Sequence, residues 1–450
     1  MTAVSTNETA HFPLRRIFTA SLGCKVSRID AAALADSAAG GEAAPAGPGD
    51  ADVLLVHGCA VTDRAERDGR RLVRRLRRAN SRAVLVVSGC LAELAGGSLA
   101  RMQEVDLVVP LAARGTLSEI LDAHAAGLLP GRIVTTADAA RAALFAMPVS
   151  GRPPEALLAP ERTRAFLKIQ DGCARRCAFC VVPTLRGPER SARPGDVADA
   201  IRRLGDGGVP EVVLAGVHLA AFGHDLGTRL VDLLARLEAD PPACRVRLSS
   251  LEPMEAGDEL VDLVAASRVV VPHLHLPLQS GSFSVLKRMR RGIVPSRYRA
   301  LAERAARANP RLHLATDLIA GFPGESDADF DETCRFVEDL PFASLHVFPY
   351  SPRGGTDAAA WHRENPMASG VLTERTRALR RLGAAKARAF AARSAGTTAE
   401  IVTLRGNRGL TDHYLEVSLE LPSEDRVPGR RLPARLVSGA AGMPLEAHPC

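Results

Sequence analysis

Cys173, Cys177 and Cys180 form a Cys-x3-Cys-x2-Cys triplet just beyond an apolar, strand-like stretch containing Phe166, Leu167 and Ile169. Three thiolates on one short loop can hold three irons of a [4Fe–4S] cube and leave the fourth iron without a protein ligand. An open iron is a place for a small molecule to bind and receive an electron. Structural zinc asks for Cys-x2-Cys pairs that sum to four ligands, and no second pair follows at finger spacing. A disulfide framework suits short secreted chains rather than one of 450 residues.

Three further cysteines share a local pattern. Ile17 to Leu22, Val53 to Val56 and Val84 to Val87 read as strands, each followed by Gly-Cys at Cys24, Cys59 and Cys90. Helical stretches follow, from Val26 to Ala39, from about Thr62 to Ala79, and from Leu91. The spacings, 35 residues from 24 to 59 and 31 from 59 to 90, are one β-α unit each. In a parallel sheet all strand carboxyl ends lie on one edge, where open α/β sheets bind ligands. These three cysteines are therefore expected to meet in space, near helix N-termini that lower a thiol pKa. A buried structural cysteine is the competing role for each alone. Cys244 and Cys334 are expected in the core, and Cys450 is the last residue.

The elements that must position these residues fall into an α/β pattern. A chain of 450 residues has room for two or three domains. The first strand–helix repeats run to about residue 145, with a loop at Gly40 to Gly49 and a proline-rich linker from Met147 to Pro160. Six strands separated by helical patterns follow: Ala165–Ile169, Glu211–Ala215, Arg245–Ser249, Leu274–Pro277, Leu312–Ile319 and Ser344–Phe348. Six β-α units predict an open (β/α)6 barrel with the triplet on its carboxyl rim. After an arginine-rich helical stretch, Glu400–Leu404, Tyr414–Leu419 and Arg430–Leu436 predict a small C-terminal β-barrel. The rim also carries Gly216, Ser249, Ser250, Glu252, Gln279, Ser280, Gly281, Asp317 and the turn Gly321 to Glu325. Small residues with one carboxylate and an amide suit a ligand with an amino acid head and a ribose. His273 and His275 alternate on one strand and read as structural histidines.

Composition bounds the partners. The longest apolar runs fall far short of a membrane span, and Met1 to Pro13 has no apolar core of a signal peptide, so a cytoplasmic location is expected. The net charge of +7 favours a polyanionic partner. Only Lys25, Lys168, Lys287 and Lys386 are lysines, so arginine-rich composition explains part of that charge. Arg67, Arg70, Arg71, Arg74, Arg75 and Arg78 fit either a tRNA surface or a solvated helix face. Aromatics are 4% of residues, too few for widespread base stacking.

The triplet resembles the signature of radical S-adenosylmethionine (SAM) enzymes. With Leu22-Gly-Cys-Lys-Val26, Gly216-Val-His-Leu219, Leu248-Ser-Ser-Leu-Glu-Pro253, His275-Leu-Pro-Leu-Gln-Ser-Gly281 and Gly321-Phe-Pro-Gly-Glu325, the chain resembles the methylthiotransferases from about Ile17 to Leu436. The stretch from Gly409 to Val417 is similar to that family's RNA-binding TRAM module. The resemblance implies an N-terminal methylthiotransferase domain (14–145), a radical SAM domain (159–392) and a TRAM-like domain (397–440). It implies two [4Fe–4S] clusters, one on Cys173, Cys177 and Cys180 and one on Cys24, Cys59 and Cys90, together with S-adenosylmethionine. Glu252, Gln279 and Ser280, with Gly216 and Ser249, would contact that cofactor, and Phe179 and Val347 would lie near its adenine.

The implied reaction inserts a methylthio group at C2 of N6-threonylcarbamoyladenosine beside the anticodon of tRNA. The implied partners are the anticodon stem-loop, an electron donor such as flavodoxin or ferredoxin, and a sulfur donor. Other branches of the family act on isopentenyladenosine in tRNA or on a ribosomal-protein aspartate. The chain departs from the family pattern at His57-Gly58, where Asn-Thr is usual. It also departs at Phe283 (usually Asp), Arg290 (usually Asn) and Ala220 (usually Gly). A non-catalytic RNA-binding protein with structural metal sites is the reading from another class. Metal content separates the two. Protein purified without oxygen should carry about eight irons and eight sulfides per chain, whereas zinc in their place would indicate the binding protein.

Overall fold

Val53-Leu54-Leu55-Val56 is apolar without alternation, which suits a strand covered on both faces. The computed structural model describes residues 15–39, 44–111, 117–126, 163–419, 427–438 and 445–449; the expected linker lies outside them. Described residues of Met1–Cys59 and Ala65–Leu144 form one unit, and those of Ala60–Arg64 and Phe145–Cys450 a second.

In the first unit, strands β1 (Arg16–Ser21), β2 (Ala44–Pro45), β3 (Val53–His57), β4 (Val84–Ser88) and β5 (Leu107–Val109) form one parallel sheet, in the order β2-β1-β3-β4-β5. Helices α1 (Lys25–Ala38), α2 (Asp63–Ala79), α3 (Cys90–Leu99) and α4 (Leu117–Ala125) connect and cover them. Val53 and Leu55 pack with Leu34 of α1 and Ile120 of α4. Leu54 and Val56 pack on the other face with Val73 of α2 and Leu91 of α3. Each residue of the run is thus buried, and the doubly wound order places a switch point between β1 and β3.

In the second unit, β6 (Ala165–Asp171), β8 (Glu211–Gly216) and β9 (Arg245–Leu248) run parallel, with β7 (Arg190–Ser191) antiparallel at the edge. Strands β10 (His273–His275), β11 (His313–Ala320) and β12 (Ser344–Pro349) form a second parallel sheet. Parallel bridges Val246↔Val270 and Ser250↔His275 join the sheets. The result is the expected open six-stranded barrel. The fourth strand is shorter than its apolar run suggests, because Pro277 cannot donate to a ladder. Helices α5 (Val182–Arg186), α6 (Pro194–Asp206), α7 (Leu230–Ala239), α8 (Pro253–Ala266), α9 (Phe283–Met289), α10 (Pro295–Ala308) and α11 (Asp327–Asp339) follow the strands, then α12 (Asp357–Glu364) and α13 (Ser369–Ser394). Leu214, Val246 and Leu318 of the strands meet Ile201, Val261, Leu301 and Leu379 of the helices in one core.

Five strands close the C-terminal barrel, in the order β13-β14-β15-β17-β16. They are β13 (Thr398–Leu404), β14 (Arg408–Thr411), β15 (Glu416–Leu419), β16 (Arg431–Val437) and β17 (Glu446–Pro449). This barrel docks on the amino ends of the central strands. Glu211 is fully buried and takes Arg245 at 2.7 Å, Arg247 at 2.8 Å and Arg164 at 3.0 Å. Arg245 donates onward to the carbonyls of Glu400 and Leu410, and Arg247 to that of Thr411. Burial alone would push the Glu211 carboxyl up, but the three guanidinium groups outweigh it and hold the group well below the usual range. Its stabilisation is therefore complete above the unfolded value of about 4.3 and is lost as pH falls below it. Glu211→Gln should leave guanidinium charge uncompensated and destabilise this unit by about 3–5 kcal/mol. Hydrogen exchange should quicken first in β13 and β14.

Candidate functional site

Three cysteine-bearing loops meet at the carboxyl edge of the first sheet. Gly23, with φ +143°, leaves no room for a side chain, which would lie 2.9 Å from Cys59 Cβ. The Gly58 amide donates to the Ser88 carbonyl at 2.9 Å, and the Leu91 amide donates to the Gly58 carbonyl at 3.1 Å. The loops after β1, β3 and β4 therefore touch in sequence. Cys24 caps α1, Cys90 opens α3, and Cys59 precedes α2. Cys24 is exposed, whereas Cys59 and Cys90 are buried.

The departure at His57-Gly58 has a packing cause. A side chain at Gly58 would meet Leu91 at 2.5 Å. One at Gly89 would meet the Gly58 carbonyl at 2.6 Å and His57 at 2.9 Å. His57, Gly58, Gly89 and Leu91 form one interlocked set in which a threonine at 58 has no space.

The triplet lies on the loop after β6. Gly172 starts it at φ +76°, where any side chain would collide with the Pro188 carbonyl at 1.9 Å. The Ala178 amide donates to the Met289 carbonyl, and the Ala358 amide donates to the Ala178 carbonyl, so α9 and α12 clamp the loop. Cys173, Cys177 and Cys180 are half-buried free thiols. Burial, with the neighbouring Cys177 and Cys173, pushes the Cys180 thiol up to about 11. Crowded thiols of this kind need a cationic centre to ionise together, and cluster irons provide one. The donor chemistry of both trios thus fits an iron–sulfur cluster.

Charged groups tie the triplet to Glu252. Arg291 reaches Cys177 Sγ at 3.8 Å and Glu252 Oε2 at 2.5 Å. Arg175 contacts Glu255 at 2.7 Å and Glu252 at 3.6 Å. His218 lies 3.8 Å from Cys173 Sγ, and its two ring nitrogens meet Glu189 and Glu255, each at 2.7 Å. Burial would lower the His218 pKa, but Cys173, Glu255 and Glu189 raise it to about 10. Burial raises the Glu252 carboxyl, opposed by Arg291 and Arg175. Arg175, Glu189, His218, Glu255 and Arg291 were not singled out from sequence. Their signal was adjacency to the triplet and to the ends of β7, β8, β9 and α9.

The other expected contacts divide. Ser249 is buried at the end of β9, and its hydroxyl lacks a hydrogen-bond partner among the described residues. Glu252 caps α8. Gln279 adopts φ +76°, a left-handed backbone that is costly for a non-glycine residue, between β10 and β11. Gly216 ends β8, packed against Gln170. The Phe179 ring meets Phe322 edge-on at 6.2 Å. The Ser280 hydroxyl shares a hydrogen bond with that of Thr333 and accepts one from the Ser282 amide. Val347 packs with Leu318 and Leu379 on the helix-facing side of β12, while His346 and Phe348 carry the accessible face. His275, expected to be structural, has both ring nitrogens engaged, Nδ1 by Ser250 and Nε2 by Asp317. His273 does pack as a structural residue, its ring 4.5 Å from that of Tyr414. Arg290 takes a left-handed backbone at the end of α9 and pairs with Asp357 at 2.6 Å.

Residues 167–337 match the Radical SAM superfamily, and residues 16–110 match the uncharacterized protein family UPF0004. The chain is 33% identical to the threonylcarbamoyladenosine tRNA methylthiotransferase MtaB of Aquifex aeolicus, covering 82% of this chain and 88% of that one. It is 35% identical to a tRNA-2-methylthio-N(6)-dimethylallyladenosine synthase of Erythrobacter litoralis, covering 86% and 85%. The chain belongs to the radical SAM methylthiotransferase family. The cobalamin-bound radical SAM methyltransferase TsrM of Kitasatospora setae shares the fold, with a TM-score of 0.52, 16% identity, and 69% of this chain and 66% of that chain covered.

Within this methylthiotransferase, Gly58→Thr should overpack the Leu91 contact and destabilise the first unit by about 1–3 kcal/mol. Iron bound by the Cys24, Cys59 and Cys90 set should fall with it. Leu91→Ala in the same chain should restore part of that iron.

Proposed function

We propose that this chain methylthiolates C2 of N6-threonylcarbamoyladenosine next to the anticodon of tRNA. Two sets of three cysteines on loops at strand carboxyl ends carry the proposal, in a chain one-third identical to enzymes named for that reaction over most of its length. Leu22-Gly-Cys-Lys-Val26, Gly216-Val-His-Leu219 and Ser249-Ser-Leu-Glu252 favour this substrate. Overall identity does not choose the branch, because relatives named for dimethylallyladenosine reach 36%. The domains assigned are 14–145 for the auxiliary cluster, 159–392 for the radical SAM chemistry and 397–440 for RNA binding.

When bound, S-adenosylmethionine and the two clusters supply a 5′-deoxyadenosyl radical and a methylated sulfur. The chain's residues hold and orient these groups. Cys173, Cys177 and Cys180 ligate one cluster, with His218 and Arg291 beside two of the sulfurs. Ser249, Glu252 and Gln279 form the polar contact set for the cofactor, with Gly216 and Phe179 shaping its walls. Ser280 is assigned a backbone contact because its hydroxyl is already engaged. Val347 is assigned its carbonyl, which accepts from Arg380 at 3.3 Å. Arg377 and Arg381 line an open groove along α13, a surface for phosphate contacts.

Among the described residues, no helix is long and apolar enough to cross a membrane. The reductant is assigned to the flavodoxin or ferredoxin class, with a separate sulfur donor and a cytoplasmic location. The deciding measurement is mass spectrometry of tRNA nucleosides from cells lacking the gene. The methylthio form of threonylcarbamoyladenosine should vanish, and its persistence would refute the assignment. In purified protein, Cys59→Ala should still form 5′-deoxyadenosine but insert no sulfur. Cys177→Ala should lose both activities.

A further inference from the structure

Four successive strands contribute a hydrogen-bonded chain that the cluster chemistry does not use, two of its members at strand ends and two within β11 and β12. Ser250 Oγ follows β9 and lies 2.7 Å from Nδ1 of His275 at the end of β10. His275 Nε2 lies 2.8 Å from Oδ1 of Asp317 in β11. His346 Nδ1 of β12 lies 3.0 Å from the same oxygen. The two imidazoles meet edge-on, with centroids 5.1 Å apart.

Strand alternation places these groups on the enclosed side of the open barrel. Thr316, Leu318 and Ala320 of β11 are buried, while Asp317 and Ile319 are partly accessible. On β12, His346 and Phe348 are exposed on one face, and Val347 packs into the core on the other. Burial would push the Asp317 carboxyl up, but the two imidazoles outweigh it and hold it well below the usual range. It is a fixed anion that pins His346 through Nδ1. The ring remains half-exposed at 50%. Phe348, 47% exposed, offers an aromatic face two residues along the same strand.

We propose that His346, pinned by Asp317 and buttressed by His275 and Ser250, is a specificity-determining contact for a polar N6 substituent on an adenine that stacks on Phe348. This proposal rests on the substrate class proposed above. A threonylcarbamoyl group carries a carboxylate, a hydroxyl and ureido N–H groups that can pair with this chain of polar groups. A branched five-carbon hydrocarbon tail would desolvate them without pairing, which is how sites built around polar groups reject apolar analogues. Ligand atoms of His275, Asp317 and His346 lie within 4.8 Å of one another and could instead take a divalent cation. Metal content is therefore an arm of the test.

The test compares two anticodon stem-loop RNAs that differ only in carrying threonylcarbamoyl- or isopentenyladenosine, using protein with both clusters in place. Wild type should prefer the former. His346→Leu should raise KM for it about 10- to 100-fold, the equivalent of one lost polar contact, and collapse the preference. Iron content and RNA-free cleavage of S-adenosylmethionine should stay unchanged. His346→Gln should recover part of the preference, and Phe348→Ala should weaken both RNAs alike. An unchanged KM and preference in His346→Leu overturns this role alone. So does a stoichiometric zinc or other non-cluster metal that the substitution removes. A wild type that modifies only the isopentenyl RNA overturns the substrate assignment and this role with it.

Discussion

Parallel strands joined through helices deliver every strand-to-helix loop to the same edge of a sheet. That constraint organises both units. In the first, Cys24, Cys59 and Cys90 come from three different strand ends and lie on loops that touch. In the second, the triplet, Glu252 and Gln279 come from the carboxyl ends of successive strands, and Ser250 and His275 at two such ends meet Asp317 and His346 within β11 and β12. Residues distant in sequence become one chemical neighbourhood because the connections leave them no alternative.

The chemistry at that edge demands charge balance. Thiols that must ionise together are placed beside Arg291 and His218, and those cations are balanced by Glu252, Glu189 and Glu255. Inside a protein, removing one member of such a set leaves another charge without compensation, at a penalty of several kcal/mol. Hydrogen bonds to cluster sulfurs also set reduction potential. The network around the triplet therefore serves folding, and with the proposed cluster in place its Arg291 and His218 contacts would bear on that potential.

The opposite end of the central barrel does different work. There Glu211 binds three arginines, and two of them extend to backbone carbonyls of the C-terminal barrel. The buried rings of His273 and His313 and the partly buried ring of Tyr414 fill the same junction. Stability is concentrated at the amino ends of the strands and chemistry at the carboxyl ends, the division that β/α barrels generally show.

Local spacing was enough to single out two cysteine trios and to read the parallel β-α units and the six-stranded barrel, because residue spacing and hydrophobic period are properties of short segments. Short elements escaped it: two-residue β7, and β14 and β17 of the terminal barrel, whose pairing depends on distant partners. The placement of Val347 on the helix-facing side, the partners of His275, and the neighbours Arg175, His218 and Arg291 of the triplet also needed the fold. Sequence alone determined which residues could bind iron and which strands would carry them. Only the tertiary structure decided which charges face those thiols and which polar groups share the barrel's interior, because such pairings form between strands and loops that no local pattern connects.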